Sequence, residues 1–166
     1  MKTFSRNKIW IAIAAAAVLL VFIFAFIITE ALFTAKIRVK NHSAYDIEKM
    51  YFYFEGEELQ QTDWQELPLI AKDEEYETEL AEFDFSEMDG ASSLTLAITF
   101  AGQDTFYLQS GSFYEKFDGI IDCKLSMDDD GDVILKLKAS NGLLGSTAQT
   151  DCNDMFFINL TEGYVQ

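Results

Sequence analysis

Ile120-Ile121-Asp122-Cys123-Lys124-Leu125-Ser126-Met127, Asp128-Asp129-Asp130-Gly131-Asp132 and Val133-Ile134-Leu135-Lys136-Leu137-Lys138-Ala139 follow one another without interruption. Period-two alternation sends Ile121, Cys123, Leu125 and Met127 to one face, and Val133, Leu135, Leu137 and Ala139 to the same face once the chain has turned. Lys124, Lys136 and Lys138 are left pointing outward. The turn residues suit this, because Asp-Gly tolerates the positive φ that a tight reversal demands. A β-hairpin with one buried face is therefore expected, and it sets the fold class.

The same alternation extends outward from the hairpin. Ile37 and Val39 alternate with Arg38 and Lys40, Tyr76, Thr78 and Leu80 with Glu75, Glu77 and Glu79, and Leu94, Leu96, Ile98 and Phe100 with Ser93, Thr95, Ala97 and Thr99. Further strands are expected at 47–54, 64–70, 105–109 and 156–160. Short strands at regular spacing, with no helical period between them, predict two antiparallel sheets packed face to face. A partly open β-barrel is the alternative, since periodicity does not separate the two.

Upstream of the strands the pattern changes entirely. From Ile9 to Thr29 there is no charge, no Gly and no Pro. About 20 helical residues cross a hydrocarbon core of about 30 Å, so 9–29 reads as a single transmembrane helix with Trp10 as an interfacial anchor. The run exceeds the usual core of a cleaved signal peptide, about 7 to 15 residues, which favours retention. The organisation expected is a basic tail at 1–8, the helix at 9–29, a short linker at 30–35 and one domain at 36–166. Basic residues flank both ends of the helix. Long domains translocate largely regardless of charge, so the short tail is expected in the cytoplasm and the domain outside it, on a single-pass protein of the cell membrane.

From Lys36 onward, nine Lys plus Arg stand against 27 Asp plus Glu, about −18 in charge. Such a surface repels nucleic acid and anionic headgroups, both of which are bound through Lys and Arg. Cations, basic surfaces or solvent are what it favours, and a charge that serves solubility alone is the alternative.

Chemistry-bearing residues are few. Cys123 and Cys152 in an extracytoplasmic domain predict one disulfide, contributing roughly 3 to 4 kcal/mol in the chain-entropy account; a pair of buried free thiols is the alternative. Neither cysteine has an orienting base, because His42 is the only histidine and lies beside Asn41 and Ser43 in a turn. The run Asp128 to Asp132 invites calcium, yet its phasing fails: with Gly131 as the loop glycine, Ser126 and Leu137 would occupy the first and the bidentate positions. With 28 acidic residues, accidental carboxylate pairs are too many to nominate one. No phosphate-cradling glycine loop, nucleophile elbow or zinc spacing occurs, and no cofactor is expected. Met50-Tyr51-Phe52-Tyr53-Phe54 places large rings on both faces of one strand, which makes Tyr51 and Tyr53 a candidate contact surface, a strand covered on both faces being the alternative.

One stretch has a wider likeness. Val39-Lys40-Asn41-His42-Ser43, Asp46-Ile47, Met50-Tyr51-Phe52-Tyr53, Trp64, Leu67, Ile70 and Glu74-Glu75 together resemble a pattern in small secreted or membrane-anchored bacterial β-sandwich proteins. The likeness covers 37–80 and departs at Gln65, where those proteins often carry Gly. It implies a bacterial surface β-sandwich and no particular activity.

The expected function is thus non-enzymatic: a tethered β-sandwich that contacts another protein at the cell surface. A surface enzyme working through a carboxylate pair and a purely structural envelope module are the alternatives.

Overall fold

The computed structural model describes residues 6–31, with side chains over 10–27, and 35–56, 61–80, 92–114, 117, 119–141 and 150–166. The chain divides into two units, Met1–Phe33 and Thr34–Gln166. In the first, helix α1 runs Arg6–Ala31 over 26 residues. At 1.5 Å per residue that is about 39 Å of helix. Its window Trp10–Ile27 has a mean hydropathy of 2.9 and none of its side chains is buried, so it is long and apolar enough to cross a membrane. Glu30 and Ala31, expected in the linker, belong to the helix. The start of the basic tail, 1–5, and linker residues 32–34 lie outside the described residues.

The second unit is a β-sandwich. Its strands are β1 Lys36–Asn41, β2 Ile47–Glu55, β3 Gln65–Leu67, β4 Glu75–Glu79, β5 Ser92–Phe100, β6 Thr105–Phe113, β7 Gly119–Met127, β8 Val133–Asn141, β9 Asn153–Asn159 and β10 Tyr164–Val165. Six form one sheet in the order β10-β9-β8-β7-β1-β4, and four form the other in the order β3-β2-β5-β6. Two separate sheets, rather than one closed sheet, make this a sandwich and not a barrel. The alternating apolar positions of both sheets meet in one core, with Ile37, Val39, Phe52, Phe54, Leu96, Ile98, Ile121, Leu125, Leu135 and Ile158 all fully buried. Apolar burial of this kind is the main favourable term in folding.

The β7–β8 hairpin has the expected register, with Cys123 opposite Leu137 and Leu125 opposite Leu135. Gly131 takes φ +90°, while the Asp128 carboxylate accepts hydrogen bonds from the amides of Asp130 and Asp132, each at 2.9 Å. That Asx-type turn gives the Asp128 carboxylate its place in closing the hairpin.

Two expectations are corrected, and one strand is added. The sheets are not wholly antiparallel, because β1 pairs parallel with β7, Lys36 opposite Ile120 through Asn41 opposite Leu125. A parallel pair needs a long crossover, and the chain from β2 to β6 supplies it, building the second sheet from β2, β3, β5 and β6 and adding β4 to the edge of the first. The strand expected at 64–70 shrinks to Gln65–Leu67, since Pro68 offers no amide to a ladder; Ile70 instead forms an isolated bridge to Ile47. Beyond β9 the chain turns at Gly163, φ +73°, and returns as the short β10, whose two residues are too few to show a periodicity.

Candidate functional site

The outer face of the four-stranded sheet collects aromatic side chains. Alternation along β2 sends Met50, Phe52 and Phe54 into the core and leaves Tyr51 and Tyr53 half-buried on the opposite side. In register, Tyr51 faces Ala97 of β5, and Ala97 in turn faces Tyr107 of β6. Ala97 is buried between the two tyrosines' strands, while Tyr107 is 64% exposed. On the other flank, Trp64 precedes the short β3. Its indole stacks on Tyr53 at 5.1 Å between centroids and 12° between planes, and meets Tyr51 edge-on at 6.0 Å. Offset-stacked and edge-to-face geometries are the favourable ones for such pairs. Trp64 nevertheless remains 52% exposed.

Acidic groups surround these rings. Glu66 lies directly opposite Tyr51 across β2 and β3, Asp63 precedes Trp64, and Glu55 ends β2. Lys49 is the basic residue at the far end of the same strand. Aromatic faces with carboxylates beside them can hold a guanidinium or ammonium by cation–π attraction and ion pairing. The candidate surface named from sequence, Tyr51 and Tyr53, is therefore extended by Trp64 and Tyr107. The alternation of β6 carries the sign for Tyr107, but only the cross-strand neighbours unite the four.

The cysteines overturn an expectation. Cys123 and Cys152 are both free and buried, so the predicted disulfide is absent. Cys123 points into the core from β7, and burial, followed by the proximity of Cys152 and Asp122, pushes its thiol well above the ordinary range. Cys152 is pushed up to about 11, again chiefly by burial, against a lowering hydrogen bond with the Ser110 hydroxyl, whose Oγ lies 3.3 Å from Sγ. Ser110 also donates to the Asp154 carboxylate, which accepts the Gly111 amide at 3.2 Å as well. Serine, carboxylate and thiol thus meet at the seam between β6 and β9. Burial holds the thiols protonated, and no histidine stands beside the serine to act as its base.

His42 is exposed on the bend after β1, consistent with a solvated turn residue. Its neighbours have a different role. Asn41 Nδ2 donates to the carbonyls of Tyr45, Ile70 and Ala71 at 2.8, 3.2 and 3.2 Å, and its Oδ1 accepts from the amide and hydroxyl of Ser43 at 3.2 and 2.7 Å. The Asn-x-Ser segment is a buried knot that carries the chain from one sheet to the other. Trp10 lies exposed on α1, at the start of its apolar window.

The outer face of the six-stranded sheet is a charge ladder. Lys36 and Arg38 both reach Glu77, at 3.1 and 2.9 Å, Lys40 reaches Glu75 at 2.9 Å, and Arg38 also approaches Asp122 at 3.4 Å. Hydrogen bonds from Arg38 and Lys36 hold the Glu77 carboxyl below its ordinary range, and the bond from Lys40 does the same for Glu75. These partners are exposed or only half-buried, so solvent screens each pair and it contributes little to stability. Among the described residues no group of three or more His, Cys, Asp or Glu side chains is arranged to hold a metal.

No protein-family model and no curated protein matches the chain. Among solved structures it is similar to an NMR structure of a protein from Eubacterium rectale, at 12% identity and a TM-score of 0.37, over 63% of this chain and 87% of that one. A likeness of that degree carries no argument about fold or function.

Proposed function

We propose that this chain is a membrane-anchored, extracytoplasmic β-sandwich that binds another protein at the cell surface through the outer face of its four-stranded sheet. The observation that carries this reading is the cluster of Tyr51, Tyr53, Trp64 and Tyr107, which keeps Trp64 half-exposed and Tyr107 largely so on a flat β face. Aromatic side chains at such a position are typical of contact surfaces, because they bury much area for little conformational entropy. Glu55, Asp63 and Glu66 around them, on a domain of about −18, bias the partner toward a basic surface. The apolar helix Trp10–Ile27 supports the anchor, and the short basic tail supports a cytoplasmic N-terminus. The likeness of 37–80 to bacterial surface sandwiches favours the same address, where the domain would serve as an accessory or regulatory subunit. Catalysis is not part of this reading.

Two measurements test it. Asp129→Cys, at the exposed tip of the β7–β8 hairpin, reacts with a membrane-impermeant thiol reagent on intact cells; reaction only after lysis overturns the orientation. In the native host, a photo-crosslinking amino acid at position 107 traps a discrete protein adduct that the same group at 129 does not, and Trp64→Ala with Tyr51→Ala removes it. Equal adduct patterns from both positions overturn the contact surface.

A further inference from the structure

Basic residues are scarce in the domain, yet they are not scattered. Six of its nine, Lys36, Arg38, Lys40, Lys124, Lys136 and Lys138, occupy outward positions on three adjacent strands of the six-stranded sheet, β1, β7 and β8. The register places Lys40 opposite Lys124 and Lys124 opposite Lys136, three cations in one row across the sheet. Lys138 lies one row away, opposite Asp122. Like charges facing each other across strands are destabilising, so a surface this acidic overall gains nothing in folding from grouping them.

Counter-charges divide this set in two. The three cations of β1 are satisfied by Glu75, Glu77 and Asp122. The side-chain ammoniums of Lys124, Lys136 and Lys138 have no carboxylate or hydrogen-bond partner among the described residues. These three line a cavity of about 290 Å³, with Asn153 and Met155 of β9 on its other side. Two acids also border it, and both are engaged elsewhere. Asp122 Oδ1 faces Arg38 Nη1 at 3.4 Å, and Asp154 Oδ2 accepts from Ser110 and from the Gly111 amide.

We infer that this cavity binds a compact phosphate group, with the ammoniums of Lys124, Lys136 and Lys138 as its counter-charges. Lysine acts as a point charge with rotatable donors. Three of them from separate positions suit the spread oxygens of a tetrahedral dianion better than the planar fork of a carboxylate, for which arginine is the usual partner. Asn153 adds an amide donor, and Met155 offers an apolar wall to whatever small body carries the phosphate. The volume sits at the low end for small-molecule sites, and the acidity of the remaining surface turns away long polyanions. The site is on the opposite sheet from the aromatic face, and neither inference depends on the other.

A phosphate of this kind can come from a soluble ester or from a lipid headgroup. The test uses the full chain in phosphatidylcholine nanodiscs, with lysines reductively methylated by ¹³C-formaldehyde, which preserves their charge. Titration with glycerol 3-phosphate shifts the methyl resonances of Lys124, Lys136 and Lys138 saturably and leaves Lys49 and Lys72 in place, while glycerol shifts none. Replacing both Lys124→Gln and Lys136→Gln weakens that binding about tenfold or more, the scale expected for losing charge-assisted hydrogen bonds. If the same three resonances move only when phosphatidylglycerol is added to the nanodiscs, the headgroup is the source and the site stands. Uniform, non-saturating shifts of all lysines, or no shift with either probe, overturn it.

Discussion

Strand β8 stands between Cys123 and Cys152. Cys123 on β7 pairs with Leu137 of β8, while the carbonyl of Cys152 accepts the Ala139 amide from that strand's other side at 2.9 Å. Two inter-strand spacings amount to about 9.5 Å, and disulfides close only when their Cα atoms lie within about 7 Å. No rotamer change spans that gap. The full chain unfolded in guanidinium without reductant therefore yields two titratable thiols per molecule, and adding reductant first leaves the count unchanged. A count of zero before reduction would refute the pairing of these strands.

The same burial makes stability sensitive to alkali. Cys152 titrates near 11 when folded, against an ordinary thiol value near 9 in the unfolded chain. Between those values the folded form holds the proton that the unfolded form has released, so the folded state loses ground as pH rises. Its contribution is complete below about pH 9 and disappears as pH climbs through about 11, with Cys123 acting in the same direction. Denaturant midpoints measured in steps across this window decline for the native chain. They decline less for Cys123→Ala with Cys152→Ser, and parallel decline in both proteins would remove the thiols as the cause.

Asn41→Ala is expected to cost about 3 kcal/mol or more. Its side chain bonds three backbone carbonyls and two groups of Ser43; alanine removes all five bonds, leaving the buried Ser43 amide without an acceptor and each carbonyl with one donor fewer. Asn41→Asp is no rescue, because it keeps the acceptor toward Ser43 but sets a carboxylate against the carbonyls of Tyr45, Ile70 and Ala71. His42→Ala, between the two knotted residues and exposed, stays within about 0.5 kcal/mol. Urea unfolding of the three variants ranks them; a destabilisation by His42→Ala equal to that of Asn41→Ala would deny the knot its role.

Thr95→Val is expected to be neutral or stabilising by up to about 1 kcal/mol. Thr95 is 6% exposed on β5, and its Oγ1 has no hydrogen-bond partner among the described residues. Burial without a partner costs a hydroxyl its hydration, so an isosteric methyl removes a penalty and suits a strand equally well. A loss above about 1 kcal/mol in chemical denaturation would mean that the hydroxyl is bonded after all.

Alternation at Ile121, Cys123 and Leu125 against Val133, Leu135 and Leu137 makes the hairpin legible in the sequence, because side chains on one face of a strand must share polarity when that face is buried. It does not disclose that β1 runs parallel to β7, since the same alternation serves either direction and their partner residues lie some 80 positions apart. The expected disulfide fails for a related reason: spacing along the chain says nothing about an intervening strand. Tyr51 and Tyr53 are visible as outward rings on β2. Trp64 joins them by stacking across a loop and Tyr107 by register across β5, and neither relationship has a local signature.

Gly111 supplies the sharpest test of how the two sheets meet. It takes φ +61° within β6, beside the register shift between Ser92 and Leu94, and a Cβ built there would lie 2.3 Å from Cys152 Cβ and 2.6 Å from its Cα. Two separate penalties follow for alanine: left-handed backbone strain, about 1 kcal/mol, and displacement of Cys152 with the Ser110 and Asp154 contacts it shares. Gly102 isolates the first, because it has a similar φ of +73° and nothing within 4 Å of a built Cβ. Gly102→Ala should therefore lose about 1 kcal/mol, and Gly111→Ala at least about 2 kcal/mol more, the range of overpacked interiors. Double-mutant analysis with Cys152→Gly tests the contact, since removing that Cβ relieves the nearest clash while the approach to the Cys152 Cα and the strain remain. Equal losses for Gly102→Ala and Gly111→Ala would place Cys152 away from β6 and dissolve the seam that joins β6 to β9.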